Sequence, residues 1–123
     1  MTGDAFDARE RSRATEALGC DQLSMTSGRD GSTHVIALFG ELDLAAADGV
    51  ERELRRVEAT DASLIVVDLS GLTFMDSTGA RLVWQADVRS RAGANRLRLR
   101  RGPRAVQRVF EISGVVDLLP FTD

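Results

Sequence analysis

Apolar positions along the chain recur with two different periods, and the change from one to the other organises the sequence. Leu23–Thr26 and Thr33–Phe39 are short apolar or β-branched runs, and the turn formers Ser27-Gly28-Arg29-Asp30-Gly31-Ser32 between them predict a β-hairpin. The period then becomes helical. Within Leu44–Thr60, Ala47, Val50, Leu54 and Val57 fall on one face, whereas Glu51, Arg52, Arg55 and Glu58 turn mostly away. Asp43 stands directly before this segment as a natural N-cap. Leu64-Ile65-Val66-Val67 does not alternate, which predicts a central strand buried on both faces. Asp68 to Met75 reads as a loop with apolar anchors. A second helix runs from Thr78 to about Arg91, with Gly79, Leu82, Val83 and Ala86 inward and Ala92-Gly93 as its stop. Arg96 to Arg100 alternates with period two, so Leu97 and Leu99 share a sheet face. Gly102-Pro103 opens a third helix with proline at its first position; Val106, Val109 and Phe110 form its apolar face and Gly114 ends it. Asp117–Phe121 predicts a last short strand.

The resulting order, β-β-α-β-α-β-α-β, predicts an α/β fold: a mixed, mostly parallel sheet of about four to five strands with helices packed on it. Residues 1–20 carry neither period and read as a mobile N-terminal extension, leaving 21–123 as a single domain. No apolar run approaches the roughly 18 to 20 residues of a membrane-spanning helix, and the charged first twenty residues are unlike a secretory leader. A cytoplasmic protein with no membrane span is expected.

Composition narrows the chemistry. The single cysteine, Cys20, cannot form an internal disulfide, and the single histidine, His34, has no cysteine partner nearby for a zinc site, so no metal is expected. All 16 basic residues are arginine, against 19 acids, for a net charge of −3. That balance argues against direct nucleic-acid binding. The charge is uneven: residues 41–61 hold seven acids and three arginines, whereas residues 89–108 hold eight arginines and no acid, which predicts a bipolar molecule.

The segment richest in chemistry is Asp76-Ser77-Thr78-Gly79, where the second helix begins. Unpaired backbone N–H groups and the dipole at a helix N-terminus favour an anion, so Ser77 is well placed to carry a phosphoryl group. The alternative is that Ser77 or Thr78 simply caps the helix, since a cap and an anion site use the same donors. A serine-dependent enzyme is a third reading, but the glycine pattern of a nucleophile elbow is missing and His34, the one base candidate, lies in a predicted strand. A chain without lysine has no Walker lysine, and there is no Gly-x-Gly-x-x-Gly run. On the second helix, Trp84 and Val88 lie four residues apart and nearly opposite the inward stripe, forming a small apolar patch beside Ser77. Either a partner or the N-terminal extension covers it.

Three segments together resemble the STAS domain of anti-sigma-factor antagonists: Leu38-Phe39-Gly40-Glu41-Leu42-Asp43, then Val66 through Gly79 with Met75-Asp76-Ser77-Thr78-Gly79, then Val109-Phe110-Glu111-Ile112-Ser113-Gly114. The resemblance covers about residues 22–121. It implies a non-enzymatic bacterial switch in which Ser77 is phosphorylated by a partner kinase that is itself the anti-sigma factor. Asp43, Asp76, Thr78 and Gly79 would then surround the phosphosite and help in docking, and Glu41, Arg81, Trp84 and Val88 would extend the partner surface. The kinase would supply ATP and magnesium, so no cofactor is assigned to this chain, and a phosphatase of the PP2C class would reset it. A STAS scaffold subunit of a stress-sensing, stressosome-like assembly is the alternative. Thr78 stands where a second serine is common in the family and is a minor alternative acceptor. The family also commonly carries a helix after the last strand, where this chain has only a few residues.

Overall fold

Residues 22–122 are described in the computed structural model; the extension expected over 1–20 lies outside the described residues. The hairpin forms, but its turn is tighter than the cluster of turn formers suggests. β1 (Leu23–Asp30) and β2 (Thr33–Leu42) pair antiparallel from Leu23 with Gly40 to Asp30 with Thr33, so Ser27 to Asp30 belong to the strand. Only Gly31 and Ser32 make the turn, and Gly31 supplies the positive φ (64°) that such a short reversal needs.

After β2 the chain alternates α1 (Leu44–Glu58), β3 (Leu64–Met75), α2 (Ser77–Ala92), β4 (Leu97–Arg100) and α3 (Arg104–Ile112). A 3-10 turn (Val116–Leu118) and the short β5 (Phe121–Thr122) complete it. Three expected boundaries change. The loop expected over 68–75 is the second half of β3, because β2 continues to Leu42 and offers a parallel edge to pair with. Pro103 is the N-cap of α3 and not its first residue, since its ψ of 172° is extended. The strand expected over Asp117–Phe121 begins only at Phe121: Asp117 and Leu118 belong to the 3-10 turn, Leu119 is buried as an anchor, and Pro120, with no N–H to give a ladder, accepts from Leu99 N–H through its carbonyl at 3.0 Å.

The sheet runs in sequence order, β1-β2-β3-β4-β5, parallel everywhere except in the hairpin. Right-handed crossovers that always step to the next strand on the same side place every helix on one face. Alternation along the strands agrees: Ile36 and Leu38, Ile65, Val67 and Leu69, and Leu97 and Leu99 join one cluster with Val50, Leu54 and Val57 of α1, Leu82, Val83 and Ala86 of α2, and Val106 and Phe110 of α3. The run Leu64–Val67 is central, as expected. Val66 points away from the helices yet is only 9% exposed, and Leu64, at the strand's start, is 37% exposed.

The two charged segments do not form separate poles. Arg89 of α2 donates through Nε and Nη2 to both carboxylate oxygens of Glu58 on α1, at 3.0 and 2.9 Å. Those bonds, together with the Glu58 and Glu51 charges, hold the Arg89 guanidinium above its ordinary pKa despite its partial burial. Arg96 donates to the carbonyls of Glu58, Thr60 and Ala62 at 2.6 to 2.9 Å, satisfying acceptors at and beyond the C-terminal end of α1. The acidic helix and the start of the arginine-rich segment are therefore neighbours, joined through Arg89 and Arg96.

His34 is a buried sheet residue bonded within the fold. Its Nε2 lies 2.7 Å from the hydroxyl of Ser27, which in turn lies 2.6 Å from Glu53 Oε2. An ionised carboxylate only accepts, so the serine proton goes to Glu53 and His34 Nε2–H donates to the serine. Burial alone would raise the Glu53 pKa, but bonds from Arg56 and Ser27 and the nearby Arg56 and His34 charges outweigh it and hold the group below the usual carboxylate range. A depressed folded pKa stabilises fully above the unfolded value, and the benefit disappears as pH falls through the folded one. Replacing Ser27 by Ala should therefore cost about 1–3 kcal/mol at neutral pH, because it removes one of the two donors to Glu53 Oε2, the other being Arg56 at 2.6 Å, and takes the serine oxygen away from buried His34. Urea unfolding at stepped pH should show that cost shrinking in acid as Glu53 protonates; a cost independent of pH would mean that Glu53 does not take the serine proton.

Candidate functional site

The site grows from two strands that end together. In the parallel register Glu41 pairs with Phe74 and Leu42 with Met75, and Asp76 N–H donates to the Leu42 carbonyl at 3.2 Å. Each strand is followed at once by an aspartate and a helix. Asp43 is the N-cap of α1, its Oδ1 accepting from Ala46 N–H at 3.2 Å. Asp76 is the N-cap of α2, its Oδ1 accepting from Thr78 N–H at 2.9 Å and Gly79 N–H at 3.2 Å. Two helix N-termini thus open on one edge, at the carboxyl ends of parallel strands, where open α/β sheets commonly place their sites.

This arrangement separates the two roles that the sequence left open for Ser77. The cap is Asp76, and Ser77 is the first residue of the helix, exposed, with no hydrogen bond from its hydroxyl to any described residue. The expectation that a phosphate would find free backbone donors here is narrowed in the same step, because the amides of Thr78 and Gly79 already serve the Asp76 carboxylate. Thr78 is half-buried, and it faces a groove shared with Ala47, Asp48 and Glu51 of α1.

Gly79 is buried and belongs to the seat of the helix. A Cβ there would lie 2.5 Å from Met75 Cγ and 3.0 Å from Leu42 Cγ, so its absence lets the start of α2 settle onto the two strand ends. Glu41 and Asp43 are half-buried on the same edge. One turn into α2, exposed Arg81 and half-buried Trp84 line a groove with Ser77 and Ala80, closed on the far side by Ser113 and Val115 beyond α3. Trp84 is less outward than helical geometry alone suggests: it packs partly against the core, and the Arg91 guanidinium carbon sits 5.4 Å from its ring centroid. Val88, 44% exposed, continues the groove past Trp84 and Arg81.

Two apolar residues escaped the sequence reading. Leu44, at the first position of α1, is 74% exposed, and Phe74, opposite Glu41, is 46% exposed. The signal for Leu44 was its place directly after an N-cap and off the Ala47-Val50-Leu54-Val57 stripe; Phe74 was hidden by assigning its strand to a loop. His34 plays no part at this edge, lying near the opposite end of β2, roughly 26 Å from Leu42 along the strand. Among the described residues no group of histidine, cysteine or acidic side chains is arranged to hold a metal, and no helix is long and apolar enough to cross a membrane.

Comparison with known proteins places this geometry. The family described as STAS domain matches residues 25–123. The anti-sigma F factor antagonist of Lysinibacillus sphaericus is 34% identical over 84 residues, 68% of this chain and 72% of that one. The anti-sigma-F factor antagonist RsfB of Mycobacterium tuberculosis is 29% identical over 63 residues, 51% of this chain, and the matched stretch spans only about half (52%) of RsfB. Among solved structures, the anti-sigma factor antagonist SpoIIAA in its unphosphorylated form is 28% identical with a TM-score of 0.67, covering 80% of this chain and 88% of that one. The phosphorylated form of the same Bacillus cell-fate determinant is 27% identical with a TM-score of 0.62, covering 80% and 91%.

The edge makes a stability prediction that involves no partner. Asp76→Ala should destabilise the fold by about 1 kcal/mol through loss of the cap, while Asp76→Asn, which keeps a side-chain acceptor, should cost less. Gly79→Ala should cost about 1–3 kcal/mol, since Met75 and Leu42 are buried and have little room to move. Denaturant midpoints for the three variants check the order; a neutral Gly79→Ala would show that the helix seat is looser than described.

Proposed function

Because this chain belongs to the STAS-domain family, we propose that it acts as an anti-sigma factor antagonist switched by phosphorylation of Ser77. The observation that carries the reading is the exposed Ser77 hydroxyl, relieved of any capping duty by Asp76 and held on the first turn of a rigid helix. Relatives named as anti-sigma-F factor antagonists, and a structural neighbour known in phosphorylated and unphosphorylated forms, support it. The partner is an anti-sigma factor that is also the serine kinase and brings ATP and magnesium. A PP2C-type phosphatase removes the phosphate, and the exchange takes place in the cytoplasm. This chain catalyses nothing and only presents the acceptor.

The docking surface is the edge that holds Asp43, Asp76 and Ser77, with Glu41, Thr78 and Arg81 around them and Leu44, Phe74, Trp84 and Val88 as apolar contacts. Phosphorylation adds about −1.5 to −2 charges at pH 7 next to Asp76. An acidic or closely packed partner surface opposes that addition through repulsion and phosphate desolvation. A loss of about 3 kcal/mol weakens binding by roughly a hundredfold. The domain itself has nothing to unmake, because the Ser77 hydroxyl holds no internal bond among the described residues.

Incubation with candidate anti-sigma kinases and ATP, followed by mass spectrometry, should find phosphate on Ser77, with Thr78 at most a minor site. Ser77→Ala should abolish labelling, and Ser77→Asp should weaken the complex by about tenfold or more. Trp84→Ala should lower affinity with the fold intact. Phosphate outside residues 76–79, or none with any kinase, would overturn the reading.

A further inference from the structure

A phosphate on Ser77 needs a counter-charge, and the two backbone donors that follow it are engaged. The Thr78 and Gly79 amides bond to Asp76 Oδ1, whose carboxylate adds negative charge beside the acceptor. Asp43 and Glu41 stand on the same edge, and Asp48 and Glu51 face it from α1 across the groove that contains Thr78 and Arg81. The one arginine in this setting is Arg81, four residues beyond Ser77 on the same face of α2, and both residues line one groove. Side chains on a helix lean toward its N-terminus, so Arg81 reaches back over the turn that carries Ser77. An anion followed by a cation four residues later is also the favourable order along a helix.

Arg81 is available for that role. It is exposed and has no hydrogen bond or ion pair among the described residues. Of its acidic neighbours on α1, Glu51 is taken up by Arg55 at 2.9 Å and Arg89 at 3.4 Å, and Asp48, exposed on the same groove, makes no ion pair with it. The other arginines of α2 are likewise engaged: Arg89 with Glu58 and Arg91 with Asp87.

We infer that Arg81 is the internal receptor of the Ser77 phosphate, its guanidinium pairing with the phosphoryl oxygens across one helical turn. The inference rests on the proposed phosphorylation of Ser77 and states how that modification is read. Phosphorylation then changes the docking edge twice, adding a dianion and withdrawing the cation that the unmodified protein offers at Arg81. A partner that engages Arg81 with an acidic group loses that contact at the moment when the phosphate appears. Arg81 is in this sense a positioning residue that makes the two states differ by more than the phosphate alone.

The test uses the full chain with phosphoserine incorporated at position 77 during synthesis, so that it depends on no kinase. Titration followed by phosphorus NMR should give a second phosphate pKa lower than in Arg81→Gln by a few tenths of a unit. Arg81→Lys should keep part of the shift, because a point charge remains without the planar fork. High salt should compress the difference. Coincident titration curves for the parent protein and Arg81→Gln, both folded by circular dichroism, would overturn the inference while leaving kinase labelling of Ser77 unaffected. Absence of labelling by any kinase, with the shift present, would overturn the proposed function and leave the pairing intact.

Discussion

The parallel pairing of β2 with β3 out to Leu42 and Met75 is the constraint on which the functional edge depends. Strands that end at the same level deliver Asp43 and Asp76 side by side, and each aspartate starts a helix that packs back onto the same face of the sheet. Reaching that level takes two register shifts, between Ala37 and Phe39 and between Gly40 and Glu41. Glycine permits the geometry at both. A Cβ on Gly40, whose φ is 96°, would lie 1.9 Å from the Gln22 carbonyl oxygen, and one on Gly71 would lie 2.5 Å from the Phe39 ring. Had β3 stopped at Val67, Ser77 would hang from a loop, and its position would carry the entropy of nine additional residues. The irregular second half of the strand fixes the acceptor in space.

Electrostatics follow from the same topology. The β2-α1-β3-α2-β4 path lays α1 against α2, so the acid-rich and arginine-rich segments, remote in sequence, meet across Glu58, Arg89 and Arg96. Asp68 and Arg100, on neighbouring strands, form a further pair; burial would raise the Asp68 pKa, but bonds from Ser70 and the Arg100 charge keep it low. Several arginines of the basic segment, Arg89, Arg91, Arg96 and Arg100, are thus engaged inside the fold. Arg81 stands apart from this network, which is why its place beside Ser77 carries weight.

Much of the fold was legible because local signals agreed with the global one. The stripe Ala47-Val50-Leu54-Val57, the Asp43 cap and the run before Asp68 all point to the observed elements, and all three fall where tertiary contacts reinforce local preference. Two of the misreadings share a cause. Ser27 to Asp30 and Asp68 to Met75 contain residues with turn or breaker preferences, and in both it is pairing with β2 that overrides them; Asp117 to Phe121 erred the other way, its leucines reading as a strand where Asp117 and Pro120 break one. The capping aspartate was plain at α1 and shared with Ser77 and Thr78 at α2, where Asp-Ser-Thr offers three successive capping side chains. The backbone of Asp76 (φ −101°, ψ −175°) decides among them. The bipolar surface failed for a different reason, since a charge count along the chain contains nothing about which helices adjoin.

The division of labour between Asp76 and Ser77 bears on why a switch is compatible with this edge at all. A serine at the N-cap would bond through its hydroxyl to the helix amides, and phosphorylating it would replace a structural acceptor and alter stability together with charge. With the cap assigned to aspartate one residue earlier, the hydroxyl at the first helical position is free of that duty, and the backbone beneath it is fixed by bonds that the modification does not touch. Charge at the surface can then change by nearly two units while Leu42, Met75 and Gly79 keep the helix seated on the strand ends. On the proposed reading, the two states share one fold and differ only in what they present to a partner. Discrimination between them is therefore an interface property, set by the side chains around Ser77 and not by any rearrangement of the core.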